Sequence, residues 1–196
     1  MSVNLMPPAD AQTMTYEEYM SEGEIIACYD ILDGVRHFLP NPTPLRQEIT
    51  MNVAMLFREY RRQSQAGWSR VAPCDILITR TPLSIRQCDV LFIGHERYGN
   101  RHLNDASPYS PAPELVVEVL SDSDTRQMRM AKIRDFCAVD VRECWLVSPE
   151  GGTVEVLRLT MEGPVREALY GAGQSVQSLT FPDLTPALDD IFRIDE

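Results

Sequence analysis

The stretch that most constrains this chain is PELVVEVLSDSD, residues 113–124. Leu115, Val116, Val117, Val119 and Leu120 make a short apolar run rich in β-branched residues. Pro113 and the polar Ser121-Asp122 pair bound it, so it reads as a buried strand. Glu118 interrupts that run. A carboxylate in a buried strand is costly unless it is paired, protonated or bound to a metal. The residues that follow, 121–140, have Ser123 or Asp124 as a candidate N-cap and are predicted helical over 124–138. RECWLV is then a second buried strand, PEGG a turn and TVEVLRL its hairpin partner.

The remaining segments fit one α/β or mixed α+β domain with a central mixed sheet flanked by helices. Residues 1–13 read as a disordered lead and 14–196 as a single domain. Thr15 and Glu18 have capping-box spacing, which predicts a short helix ending near Gly23. EIIACYDILDGVRHFLP reads as two strands around an Asp33-Gly34 turn. The clearest helix spans 43–63: Thr43 can cap it, Pro44 suits its first turn, and Leu45, Ile49, Val53, Leu56 and Tyr60 form an apolar stripe. Two β-rich runs follow, WSRVAPCDILIT and RQCDVLFIG, with a turn at Pro82. Residues 94–113 form a long loop of the kind that is more often functional or mobile than structural. Strand-like segments and a helical turn near TPALDDIF close the chain.

Composition narrows the function. No apolar run approaches the roughly 18 residues of a membrane span, and the N-terminus lacks the pattern of a secretory signal, so a cytoplasmic protein is expected. The five cysteines are an odd number without CxxC or zinc-ligand spacing, which suggests structural thiols. A net charge of −11 counts against simple nucleic-acid binding. It does not exclude an enzyme that gathers a few arginines around a metal. Lys132 is the only lysine among 18 basic residues.

That lysine joins a constellation. Asp89 opens the apolar strand CDVLFIG, and the long loop lets this strand lie beside the Glu118 strand. Two converging carboxylates repel unless a cation neutralises them, and hard oxygen ligands suit Mg²⁺ or Mn²⁺. From Glu118 the strand runs on for roughly 10 Å, and the helix carries Lys132 back roughly 12 Å. A helix folded over the strand thus brings Lys132 level with Glu118. A carboxylate pair, a divalent ion and an ammonium suit phosphodiester hydrolysis.

With these residues in view, the chain resembles the Uma-two-type restriction endonucleases, a family of the PD-(D/E)XK nuclease superfamily. APELVVEVLSDSDTRQMRMAKIRDFCAVDVRECWLVSP is similar to the most distinctive block of that family. YDILDGV, SIRQCDVLFIG and FPDLTPALDDIF resemble its acidic hairpin, aspartate strand and C-terminal end. The resemblance covers about Thr15 to Phe192. It implies a restriction-endonuclease-like sheet with N- and C-terminal strand extensions, acting on DNA with Mg²⁺ or Mn²⁺. By position, Asp89 and Glu118 match the metal-binding carboxylates, and Lys132 matches a catalytic lysine moved from strand to helix; Leu120 stands at the usual lysine position. Asp30 and Arg46 are possible additional site residues, standing where the family usually has glutamate and often has histidine. Cys88 replaces a proline and Asp140 a common glycine.

Each residue also has a plainer reading. Glu118 can point to solvent or pair with an arginine, and Asp89 can be a turn carboxylate. Lys132 can lie on a solvated face with Arg126, Arg129 and Arg134, and Asp30 can simply hold its hairpin. Asp75 is either a further ligand or a marker of strand polarity. Arg58, Arg61 and Arg62 are phosphate contacts or an exposed helix end that favours cations. Two functions remain: a divalent-metal-dependent DNA endonuclease, and a catalytically weak or inactive relative serving as a nucleic-acid-binding or assembly module. Cutting both strands of a duplex suggests a homodimer.

Overall fold

A computed structural model describes residues 13–23, 25, 27–121 and 124–194. Most of the segment read as a disordered lead therefore lies outside the described residues.

The chain starts as read. Helix α1 (Tyr16–Ser21) carries the reciprocal Thr15–Glu18 capping box. Strands β1 (Tyr29–Leu32) and β2 (Val35–Phe38) pair through the Asp33-Gly34 turn, whose φ values of 49° and 81° are those of a type I′ hairpin. Helix α2 (Pro44–Ser64) is capped by Thr43 and stops at Gln65, which adopts the left-handed conformation.

The two β-rich runs that follow are each divided. They yield β3 (Gly67–Val71), β4 (Asp75–Arg80), β5 (Leu83–Gln87) and β6 (Val90–Gly94). Pro73 interrupts the first run, since proline brings no N–H to a ladder. Cys88 and Asp89 interrupt the second, where the backbone bends. Each break is a change of sheet. Strands β4 and β5 join the hairpin in a four-stranded sheet of order β2-β1-β5-β4. Strands β3 and β6 enter a six-stranded sheet of order β10-β9-β8-β7-β6-β3, completed by β7 (Leu115–Val119), β8 (Glu143–Ser148), β9 (Thr153–Thr160) and β10 (Gly163–Tyr170). The six-stranded sheet is the expected mixed sheet, the four-stranded one stands beside it, and Asp89 sits where the chain passes between them.

Among the paired strands of the described residues only β7 and β8 are parallel, which requires a crossover between them. Helix α4 (Arg126–Ala138) provides it, and its N-cap is Thr125, whose hydroxyl accepts from the Met128 N–H, rather than Asp124. A short helix α3 (His95–Tyr98) lies in the long loop and α5 (Leu188–Ile191) near the C-terminus.

Alternation along β7 sorts its side chains between two cores. Leu115, Val117 and Val119 pack with Ile49, Val53 and Phe57 of α2. Val116 turns the other way, toward Ile133 and Phe136 of α4, with Leu120 packed at the margin. Glu118 shares this second face. The 94–113 loop, expected to be functional or mobile, is tied down: the Arg97 guanidinium donates to the Ala112 and Asp140 carbonyls and pairs with Glu114 and Asp140. Asp140 takes a left-handed φ of 61°, a conformation that aspartate tolerates better than most residues. This accounts for an aspartate where glycine is common.

Candidate active site

Asp89, Glu118 and Lys132 line one cavity of about 200 Å³ between the two sheets and α4, together with Asp30 and Arg46. Each side chain is placed by its element. Continuing the Val90–Val117 register by one residue sets Asp89 opposite Glu118, where antiparallel neighbours share a face. The Asp89 N–H donates to the Val117 carbonyl at 3.1 Å, and Asp89 Oδ2 accepts from the Val119 N–H at 2.7 Å. On α4, Met128, Lys132 and Phe136 are spaced by four residues and share a stripe. This aims the ammonium inward, so that Lys132 Nζ donates to Glu118 Oε2 at 2.7 Å.

The solvated-face reading of Lys132 is not what is seen: its side chain is 17% exposed, whereas Arg126 and Arg134 point to solvent. Nor is Glu118 paired with an arginine. Its second oxygen, Oε1, is buried with no hydrogen-bond partner among the described residues. Burial pushes the Glu118 carboxyl up to about 8; Lys132 opposes this and the Asp89 charge adds to it. Burial alone would lower Lys132, but the Glu118, Asp30 and Asp89 carboxylates outweigh it and raise the ammonium above its ordinary range.

Asp30 faces the cavity because Tyr29 and Ile31, its neighbours on β1, turn into the opposite core. It does more than hold a hairpin. Asp30 Oδ2 accepts from Arg86 Nη1 at 2.8 Å and Oδ1 from the Gln87 N–H at 3.1 Å. Arg86 is buried and also reaches Asp135 of α4 at 2.7 Å, tying the four-stranded sheet to the crossover helix. Arg46, in the first turn of α2, donates from Nε to the Val119 carbonyl at 3.0 Å and lies 3.6 Å from Asp89 Oδ2.

Arg86 and His37 are among the cavity residues that were not singled out in the sequence. The alternation of LSIRQ could have pointed to Arg86, because the strand turns it away from Leu83 and Ile85. His37 stands opposite Asp30 in the hairpin register. Cys28 and Cys88 line the cavity as thiols: burial raises both, Cys88 well above its ordinary range, so neither supplies a thiolate ligand. Asp75 stands outside the cavity and accepts from the Tyr19 and Tyr29 hydroxyls and from Gln87 Nε2. The Arg58, Arg61, Arg62 cluster is at the far end of α2, roughly 18–24 Å from Arg46 along the axis. There the Arg61 guanidinium covers the Trp68 ring and Arg62 pairs with Glu59.

Among the described residues no group of three or more His, Cys, Asp or Glu side chains converges as a metal site. Mg²⁺ does not need one, since it keeps several waters and takes one or two carboxylates plus substrate oxygens. Asp89 on the same face as the unsatisfied Glu118 Oε1 meets that requirement.

The Uma2 family model, described as "Putative restriction endonuclease", matches residues 16–190. A crystal structure described as a "putative nuclease belonging to DUF820" from Anabaena variabilis ATCC 29413 superposes with a TM-score of 0.73 at 17% identity. The match covers 91% of this chain and 97% of that one, and at this identity it shows a shared fold. None of the curated proteins compared with the chain matches it.

Proposed function

Since the chain belongs to the Uma2 family, we propose that it is a nuclease that hydrolyses DNA phosphodiester bonds with Mg²⁺ or Mn²⁺ held by Asp89 and Glu118. One observation carries this reading. The only lysine of the chain is folded onto one oxygen of Glu118, while the other oxygen is buried with no hydrogen-bond partner among the described residues, on the face that Asp89 shares. An ion pair built for stability alone has no reason to leave that oxygen unsatisfied.

When bound, the divalent ion supplies an activated water and neutralises charge on the phosphate. The chain's own residues do the rest. The Val119 N–H holds the Asp89 carboxylate at the mouth of β7. Lys132 keeps its proton, raised by the surrounding carboxylates, and presents a fixed cation to charge that develops on the phosphoryl oxygens. Asp30, locked by Arg86, adds negative potential behind Lys132. Among the described residues no helix is long and apolar enough to cross a membrane. Cleavage of both strands of a duplex calls for two such sites, which favours a homodimer.

Supercoiled plasmid tests the proposal. The wild type with Mn²⁺ should convert it to nicked circles, and Asp89→Ala should not. No nicking by the wild type with any divalent ion would overturn the proposal. A second reading, an inactive relative acting as a nucleic-acid-binding or assembly module, is favoured by Arg46 resting against Asp89 and by the net charge of −11.

A further inference from the structure

Arg46 sits where a helix least favours a cation. It is the third residue after the Thr43 cap of α2, in the turn that carries the positive end of the helix dipole. Something outside the helix must hold it there. Its two partners are the Val119 carbonyl, at 3.0 Å from Nε, and Asp89 Oδ2, at 3.6 Å from Nη2. Both ends are largely shielded from water: the Arg46 and Asp89 side chains are 20% and 23% exposed.

A carboxylate and a backbone carbonyl next to Glu118 are oxygen ligands of the kind a hard divalent ion takes. The guanidinium therefore stands on groups that such an ion would need, and repels it. Arginine does not lose its charge in proteins, so it must move rather than titrate. Its planar fork matches a phosphate better than a single carboxylate oxygen at 3.6 Å. Resting on the reading of Asp89 and Glu118 as ion ligands, we propose that Arg46 is a built-in counter-cation that competes with the divalent ion for Asp89 and the Val119 carbonyl. A nucleic-acid phosphate draws it off, so that ion and nucleic acid load the cleft together. Lys132, which holds Glu118 Oε2, stays in place.

The test reads ion binding rather than cleavage. Loss of the free Mn²⁺ paramagnetic resonance signal is titrated on the wild type, Arg46→Ala, Arg46→Gln and Asp89→Ala, without nucleic acid. Both Arg46 variants should bind Mn²⁺ at least about fivefold more tightly than the wild type, the lower end of ordinary coupling between sites. Arg46→Gln keeps a donor for the Val119 carbonyl and serves if the alanine variant fails to fold. Unchanged or weaker binding in the Arg46 variants, with binding lost in Asp89→Ala, would overturn the competition while leaving the ion site intact. Binding undiminished in Asp89→Ala, or no binding at millimolar Mn²⁺ in any variant, would overturn the ion site and the competition with it. A labelled DNA duplex followed by fluorescence anisotropy tests the second half. Ca²⁺ should tighten binding to the wild type more than to Arg46→Ala, and equal tightening would overturn the role of the phosphate.

Discussion

Glu118 and Glu143 are glutamates on neighbouring strands, each set among apolar residues, and the fold treats them in opposite ways. Glu143 is wholly buried and fully engaged: it accepts from Trp145 Nε1 at 2.6 Å, the Ser178 hydroxyl at 2.8 Å, and the Leu179 and Thr180 N–H groups at 3.0 and 2.8 Å. Those donors pin residues 178–180 against β8. Glu118 has one cation on one oxygen and, among the described residues, no hydrogen-bond partner on the other. A carboxylate that serves the fold is surrounded by donors. One that serves a ligand keeps an oxygen in reserve beside a second carboxylate, at a cost in stability.

The strongest way to break this contrast is to remove charge without changing shape. Glu118→Gln should lose Mn²⁺-dependent plasmid nicking by several orders of magnitude, because the amide no longer offers a hard cation its charge. Its circular dichroism spectrum should stay native. Unfolding of this variant would mean that Glu118 is structural like Glu143. Lys132→Met comes next, with a loss on the order of 10²–10³ in nicking rate, the range for removing one preorganised charge-stabilising group. Full activity of the methionine variant would assign the lysine to packing.

The same substitution at Glu143 should behave differently. Glu143→Gln replaces an acceptor of several hydrogen bonds by an amide and should lower stability by about 1.5–3 kcal/mol in urea denaturation. Its nicking rate, measured below the transition, should change far less than that of Glu118→Gln. Equal activity losses at the two sites would erase the distinction.

A further contrast concerns pH. Burial raises the Glu118 carboxyl above its ordinary value of 4.5, to about 8. The folded chain therefore favours the protonated form, and its contribution to stability is fully present below pH 4.5 and lost as pH rises through about 8. Urea midpoints measured across that window should flatten in Glu118→Gln; an unchanged slope would show that the carboxyl is not raised.

Much of this arrangement was legible in the chain itself, and what was hidden has a common physical cause. Capping residues and period-two alternation are local, so α1, the β1–β2 hairpin, α2 and the β7-α4-β8 unit could be read directly. The same alternation set Glu118 beside α4, and the helical rise brought Lys132 level with it. The two sheets were not legible, because a run such as WSRVAPCDILIT keeps its β pattern across the break at Pro73 and only the partners change. Glu143 and Arg86 passed unnoticed for a related reason: their partners, Ser178 and Asp135, lie 35 and 49 residues away. Arg46 stood out by its type, but its grip on the Val119 carbonyl spans 73 residues and follows from the fold alone.

The most direct test of the central claim is an anomalous difference map from crystals soaked in Mn²⁺. The account predicts a peak between the Asp89 and Glu118 carboxylates, roughly 2.0–2.6 Å from an oxygen of each. Lys132 should still be near Glu118, and Arg46 should have left Asp89. A cleft without a peak at saturating Mn²⁺, with Arg46 still on Asp89, would contradict it.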